Sequence, residues 1–319
     1  MIGDLNPESV PQQSPAFAPP DGKIDGIRAI FWNEHELRAG WRLAIYLVLF
    51  GLLASAGVLV AIGARLPQFT QTNPSPSGML VQEGIGMIAA LLAAVVMGLL
   101  EGRPFGVYGL PRGEAFGARF GQGLVWGLAM ITTMILLIRA FGGYSFGERA
   151  LAEGALWGYA ALWGLVFLCV GFFEEFFFRG YTQYTLASGI RFWPAATVLS
   201  AVFGAFHRGN TGEDAVGTLS VFVISMFFCL TLRRTGNLWF AVGVHASFDW
   251  GETFLFSAPN SGIVAPGRLL NSSFHGPAWL TGGTVGPEGS VMAFVVMAAA
   301  AALFSRIYPA REDGEKGAS

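Results

Sequence analysis

The chain has 319 residues, of which 53% are hydrophobic and 13% charged, with a mean hydropathy of +0.52 and a formal net charge of −2. Soluble domains run nearer a quarter charged, so this deficit excludes an ordinary water-soluble domain and points to lipid. A net charge so close to zero, with no basic stripe, also excludes a nucleic-acid partner.

Residues 1–42 form a polar tail that carries Pro11, Pro15, Pro19 and Pro20, and about the first 25 are expected to be disordered. No apolar stretch of a signal peptide occurs there, so the first hydrophobic segment is expected to stay in the membrane as an anchor. The stretch 27–37 reads as a short interfacial helix. Eight hydrophobic segments follow, at 43–64, 84–100, 121–138, 155–178, 194–207, 216–232, 238–257 and 291–308. A membrane-crossing helix needs about 20 residues at roughly 1.5 Å rise each. Most of the segments suffice, and 194–207 is short by itself. The 44 glycines and 28 phenylalanines suit close helix packing in a bilayer. The loop 258–289, rich in Gly, Pro, Ser and Asn, reads as a turn-rich lead into the last helix.

The expected fold is therefore all-α: a polytopic integral membrane protein with about eight transmembrane helices. A helical domain over 43–308 lies between the tail 1–42 and a polar C-terminal tail, 309–319. If the chain threads alternately, 14 of the 19 lysines and arginines fall on the side of the N-terminus. The positive-inside rule then puts both termini in the cytoplasm, with the cell membrane of a bacterium as the expected location. Cys169 and Cys229 both lie in apolar runs and read as buried thiols, which excludes a disulfide scaffold and a Cys-rich metal site.

Ionisable groups inside a membrane segment cost about 2.5–3.5 kcal/mol each on insertion scales, so each needs a reason. Three places break the apolar pattern: Glu174-Glu175 with Arg179, His207 closing the run from Phe203, and His245 with Asp249. If the fourth helix runs on to about Ala187 and turns at 188–192, Glu174 and His207 come level across the hairpin. His245 and Asp249 can reach the same depth from the seventh segment. Residues four apart share a helix face, so Glu175 can pair with Arg179, and His245 and Asp249 look the same way. Adjacent glutamates diverge by about 100° on a helix, which lets Arg179 hold Glu175 while Glu174 faces a cavity. A desolvated Glu174 suits a general base acting on water. His207 and His245 could hold a metal or donate hydrogen bonds to the oxyanion of a peptide transition state. The bland alternatives are a solvated helix end for Glu174-Glu175-Arg179 and helix–helix hydrogen bonds for the histidines. The other two histidines, His35 and His275, read as surface groups.

In that order on successive helices, Glu-Glu-x-x-x-Arg, Phe-x-x-x-His and His-x-x-x-Asp resemble the CPBP family. These are the CAAX prenyl endopeptidase type II and bacteriocin-processing proteins, also described as the Abi family. Here the motifs are Glu174-Glu175-x-x-x-Arg179, Phe203-x-x-x-His207 and His245-x-x-x-Asp249, within about 166–250. The resemblance implies an eight-helix intramembrane endopeptidase whose cavity opens toward the cytoplasm. It implies Glu174 as the residue that activates water, with His207, His245 and Asp249 binding and polarising the scissile carbonyl and with Glu175, Arg179 and Phe203 in support. The family is often labelled metalloprotease. A divalent metal such as zinc, held by Glu174, His207, His245 and Asp249, or no metal at all, are both compatible with the motifs. The implied partners are the bilayer and a peptide or protein substrate near the membrane, lipidated or not. Asp249 stands where eukaryotic prenyl-protein proteases carry Asn.

Two other functions fit the same residues. A non-catalytic immunity or scaffold protein would keep the polar cluster for helix association. A proton- or cation-coupled transporter would use it as a relay, though no inverted repeat is visible.

Overall fold

In the computed structural model, residues 16–19 and 24–310 are described. The expected disordered tail and the C-terminal tail fall mostly outside these residues. Within the first of them, residues 16–19 form a turn in which the Phe17 carbonyl accepts the Leu37 N–H. The expected interfacial helix shortens to α1 (Arg28–Phe31), followed by a bridge between Trp32 and Leu37.

The remaining helices are α2 (Ala39–Gly63), α3 (Pro76–Glu101), α4 (Ala118–Ala140), α5 (Glu153–Glu175), α6 (Thr182–Ile190), α7 (Phe192–His207), α8 (Ala215–Thr235), α9 (Trp239–Trp250), α10 (Ala278–Thr281) and α11 (Val291–Ile307). Each of the eight expected hydrophobic segments lies largely in helix. Five helical stretches are long and apolar enough to cross a membrane by length and composition, among them the 38 residues Glu153–Ile190 that join α5 to α6. The helix α2 shows how lipid is read from the surface: Val48, Leu52, Leu59 and Val60 are exposed, while Arg42, Tyr46 and Ala61 are buried. Such an apolar exterior is stable in hydrocarbon and costly in water.

Local chemistry fixes the ends. Ser75 and Ser290 cap α3 and α11 by accepting backbone N–H groups, and Asp214 accepts from Val216 and Gly217 at the start of α8. Gly102 and Gly236 close α3 and α8 in the left-handed region that glycine tolerates. The hairpin between α6 and α7 turns at Arg191, inside the span expected for it.

The loops sort to two ends. At one end, loops 64–75, 141–152, 208–214 and 256–290 touch one another: Gln71 bonds Gly209, Thr284 bonds Gly212, and Arg149 bridges to Leu270. There Tyr144–Ser145 (β1) pairs antiparallel with Ser273–Phe274 (β2), a small strand addition to an otherwise helical fold. At the other end lie the tight connections at 102–117, 191 and 236–238, where Gly109 accepts from the Leu238 N–H. We term these the long-loop and short-turn ends.

The helix α9 runs through the middle. With 12 residues it is too short to span alone, but it is buried along almost its whole length. Its environment is protein, so it need not match the bilayer thickness. Glycine permits the burial. A Cβ on Gly123 of α4 would sit 2.2 Å from the Phe240 carbonyl oxygen, and one on Gly243 would sit 2.4 Å from that of Phe120. Small residues let backbones approach where no hydrophobic force drives helices together.

Candidate active site

The three motifs converge. Between α5 and α6 the chain makes a π-helical stretch, Phe176–Tyr181, with non-helical torsions at Gly180. The expectation of one regular helix to Ala187 missed this turn; hydrophobic periodicity does not encode it, and such insertions recur at functional sites. Glu175 nevertheless reaches Arg179 at 3.2 Å, with both side chains buried. Arg179 also donates to the Ser225 hydroxyl on α8, which donates in turn to Ser200 on α7 at 2.6 Å. The guanidinium lies 4.4 Å from the Phe203 ring centroid, a desolvated cation–π contact. Phe203 therefore supports Arg179, and through its carbonyl it also holds His207, whose Nδ1 lies 2.9 Å away.

His245 is held between carboxylates. Its Nδ1 lies 2.9 Å from Glu175 Oε1, and its ring stacks on Phe228 at 5.4 Å and 14°. With Nδ1–H donating to Glu175, Nε2 points toward Glu174 Oε2 and Asp249 Oδ2, each at 3.5 Å. Two carboxylates around one ring nitrogen require a proton there, on the imidazole or on an acid. Glycine again sets the approach: a Cβ on Gly171 would lie 3.1 Å from the Val242 carbonyl oxygen and 3.2 Å from His245 Cβ.

Glu174, His207, His245 and Asp249 all line one cavity of about 250 Å³. Oxygen Oε2 of Glu174 is buried there with no hydrogen-bond partner. The cavity reaches the long-loop end through Phe69, Asn210, Asn260 and Ser261, and none of its lining residues comes from the short-turn end. His207 shares the cavity, but among the described residues no hydrogen bond or ion pair joins it to Glu174, His245 or Asp249. Nor do any three His, Cys, Asp or Glu side chains among the described residues converge as a metal-holding group. His35 and His275 are exposed, and both cysteines are buried and free.

Two carboxylates of the cavity wall were not among the expected site residues, although the Gly-Pro-Glu-Gly that holds the second, 286–289, shares the look of the family. Glu83 lies on α3 with Oε1 accepting from Gln82, and the expected segment started one residue too late to include it. Glu288 is fixed by Ser261, whose N–H and hydroxyl both donate to its Oε2 at 2.8 and 3.0 Å. Glu252, one turn beyond Asp249, was also overlooked; it is fully buried and both of its oxygens lack hydrogen-bond partners. The signal available for Glu83 and Glu252 was a carboxylate within an apolar run.

No curated protein was found to match the chain. Residues 156–251, by contrast, match the family described as Type II CAAX prenyl endopeptidase Rce1-like. That stretch holds all three motifs, in order, on helices that build one buried polar cavity in a polytopic membrane protein. Residues 156–251 are thus similar to the type II CAAX prenyl endopeptidase Rce1-like family, and the match supports the CAAX-protease resemblance carried by the three motifs.

Proposed function

We propose that the chain is an intramembrane endopeptidase that hydrolyses a peptide bond with Glu174 as general base. The observation that carries this reading is Glu174 Oε2, buried in the cavity without a hydrogen-bond partner and 3.5 Å from His245 Nε2. Glu174 takes a proton from water, and the water oxygen attacks the scissile carbonyl carbon. His245, oriented through Nδ1 by Glu175, donates from Nε2 to the carbonyl oxygen as it gains charge. Asp249 Oδ2 faces that nitrogen at 3.5 Å. His207 stands as a second polar group on the cavity wall. The proton held by Glu174 passes to the leaving amine nitrogen, and the C–N bond breaks. Arg179, itself held by Ser225 and Phe203, fixes Glu175, so these residues position the site without touching the substrate.

The substrate is a peptide or protein segment at the membrane. The arginine distribution supports cytoplasmic termini. With the termini there, the loops that line the cavity lie on the outer face, opposite to the cytoplasmic opening implied by the family resemblance.

The test is Glu174→Gln, which keeps shape and removes the base. Cleavage of membrane-proximal peptides should fall by about 10²–10⁴-fold, the usual worth of a general base. The variant should insert and purify like the parent. Undiminished cleavage would remove Glu174 from the mechanism, and loss of the protein itself would favour the scaffold function.

A further inference from the structure

The cavity wall is unbalanced in charge. Glu83, Glu174, Asp249 and Glu288 line it, and no lysine or arginine does. Its remaining ionisable groups are His207 and His245, so even two imidazolium rings would leave carboxylates in excess. Arg179 is turned away and committed to Glu175 and Ser225. Behind the wall, Glu213 and Glu252 add carboxylates whose oxygens are buried without hydrogen-bond partners.

Fields from like charges add in a low-dielectric cleft and concentrate counter-ions there. Buried, unmatched carboxylates are costly to keep, which a membrane protein sustains where the opposite charge arrives with a ligand. Glu83 and Glu288 are suited to meet it, because each is already held in place, by Gln82 and by Ser261, and neither belongs to the three motifs.

We propose that the cavity selects a peptide segment that carries a positive charge beside the scissile bond, a lysine or arginine side chain or a free α-ammonium. The same wall repels a segment whose free carboxylate would enter there. This specificity rests on the endopeptidase reading, and its test is arranged so that the two fail separately.

The probes are N-dodecanoyl-lysine amide and N-dodecanoyl-glutamate α-amide, which share their apolar chain and differ in side-chain length and charge. Binding is measured on full-length wild-type protein in detergent and on Glu174→Gln. The lysine probe should bind at least roughly ten-fold more tightly, the scale of a partly desolvated charge contact. Glu83→Gln and Glu288→Gln should each shrink that preference several-fold, and the double variant should bring it near unity. Equal binding of the two probes by the wild type, or a preference that survives the double variant, overturns the proposal. So does displacement of the lysine probe by micromolar zinc chloride, which would assign the acid excess to a metal ion. A lysine preference with no cleavage of any peptide would instead remove the endopeptidase reading and leave the charge selectivity standing. In a digest of a degenerate, end-blocked peptide library, bonds next to Lys or Arg should be enriched among those cut and bonds next to Asp or Glu depleted.

Discussion

Two polar clusters are buried in this bundle, and they are built on opposite plans. At the short-turn end Arg42 meets Glu36 at 2.9 Å and Glu101 at 3.3 Å, while Arg103 meets Glu36 at 2.7 Å and Glu101 at 3.2 Å. Tyr181 donates to Glu101 at 2.5 Å, and Arg42 donates to the Ser188 hydroxyl at 2.8 Å. Two cations face two anions, and the ring of contacts ties α2, α3 and α6 together beside the π turn. In the cavity carboxyl groups outnumber basic ones, and Oε2 of Glu174 is left without a hydrogen-bond partner. The first cluster can be understood as architecture. The second stores a cost that the fold alone does not repay, which is the usual mark of a site that waits for a ligand.

The largest effects should come from removing one carboxylate of each cluster. Glu175→Leu leaves Arg179 with a serine hydroxyl and aromatic faces, and a broken buried pair costs about 3–5 kcal/mol. Glu101→Leu should cost less, because Glu36 still reaches both Arg42 and Arg103. In detergent, then, thermal unfolding should fall further for Glu175→Leu. The activities should separate more sharply. Folded Glu101→Leu protein should keep most of its cleavage per molecule, whereas Glu175→Leu should lose it, since His245 Nδ1 loses its partner. A Glu101→Leu variant that cleaves as poorly as Glu175→Leu would erase the distinction between the two clusters.

A substitution at the glycine contact beside His245 probes geometry without touching charge. Gly171→Val places branched carbons where even a Cβ lies 3.1 Å from the backbone of α9, so α9 must shift away from α5 and carry His245 with it. A displacement of about 1 Å can cost on the order of 10²-fold in rate. Gly164, on the same helix, is the control, since a Cβ there meets Trp250 at an ordinary 3.8 Å. Cleavage by Gly164→Ala should match the parent; equal damage from both substitutions would mean that the α5–α9 spacing does not set the site.

The sequence carried the local half of this picture. Four-residue spacing put Glu175 with Arg179 and His245 with Asp249, and counting along the hairpin placed its turn near Arg191. These are consequences of helical periodicity and need no tertiary information. What could not be read was non-local. The α9–Glu175 contact joins residues 70 apart, and the loop 256–290 reaches back to pair β2 with β1. The π turn leaves the hydrophobic pattern unchanged, because Phe176, Phe178 and Tyr181 are buried within it. Glu83 was lost for a different reason: an apolar run ends where a charge begins, so a carboxylate at the edge of a helix's hydrophobic stretch falls outside it.

The smallest predicted effect concerns the edge of the acid-rich region. Glu213 sits in the loop 208–214, with both carboxylate oxygens buried and without partners. Burial, then Glu288 and Asp214, push its pKa from 4.5 up to about 7, against a weaker opposing pull from Arg208. A carboxyl group whose folded pKa is raised binds its proton more tightly in the native state. Its cost to stability is therefore absent below the ordinary pKa, grows as pH rises toward 7, and is complete above it. Glu213→Gln removes the ionisation. The variant should unfold at a higher temperature than the parent at about pH 8, and the gap should close as pH falls toward about 4.5. In the short-turn cluster, where each acid has a cation, Glu36→Gln should instead lower the unfolding temperature at about pH 8, because it removes one acceptor and the negative charge that faces Arg42 and Arg103. If Glu213→Gln also destabilises at that pH, the carboxylate has a counter-charge, and the contrast between a neutral architectural cluster and an anionic receptive one fails at its outer edge.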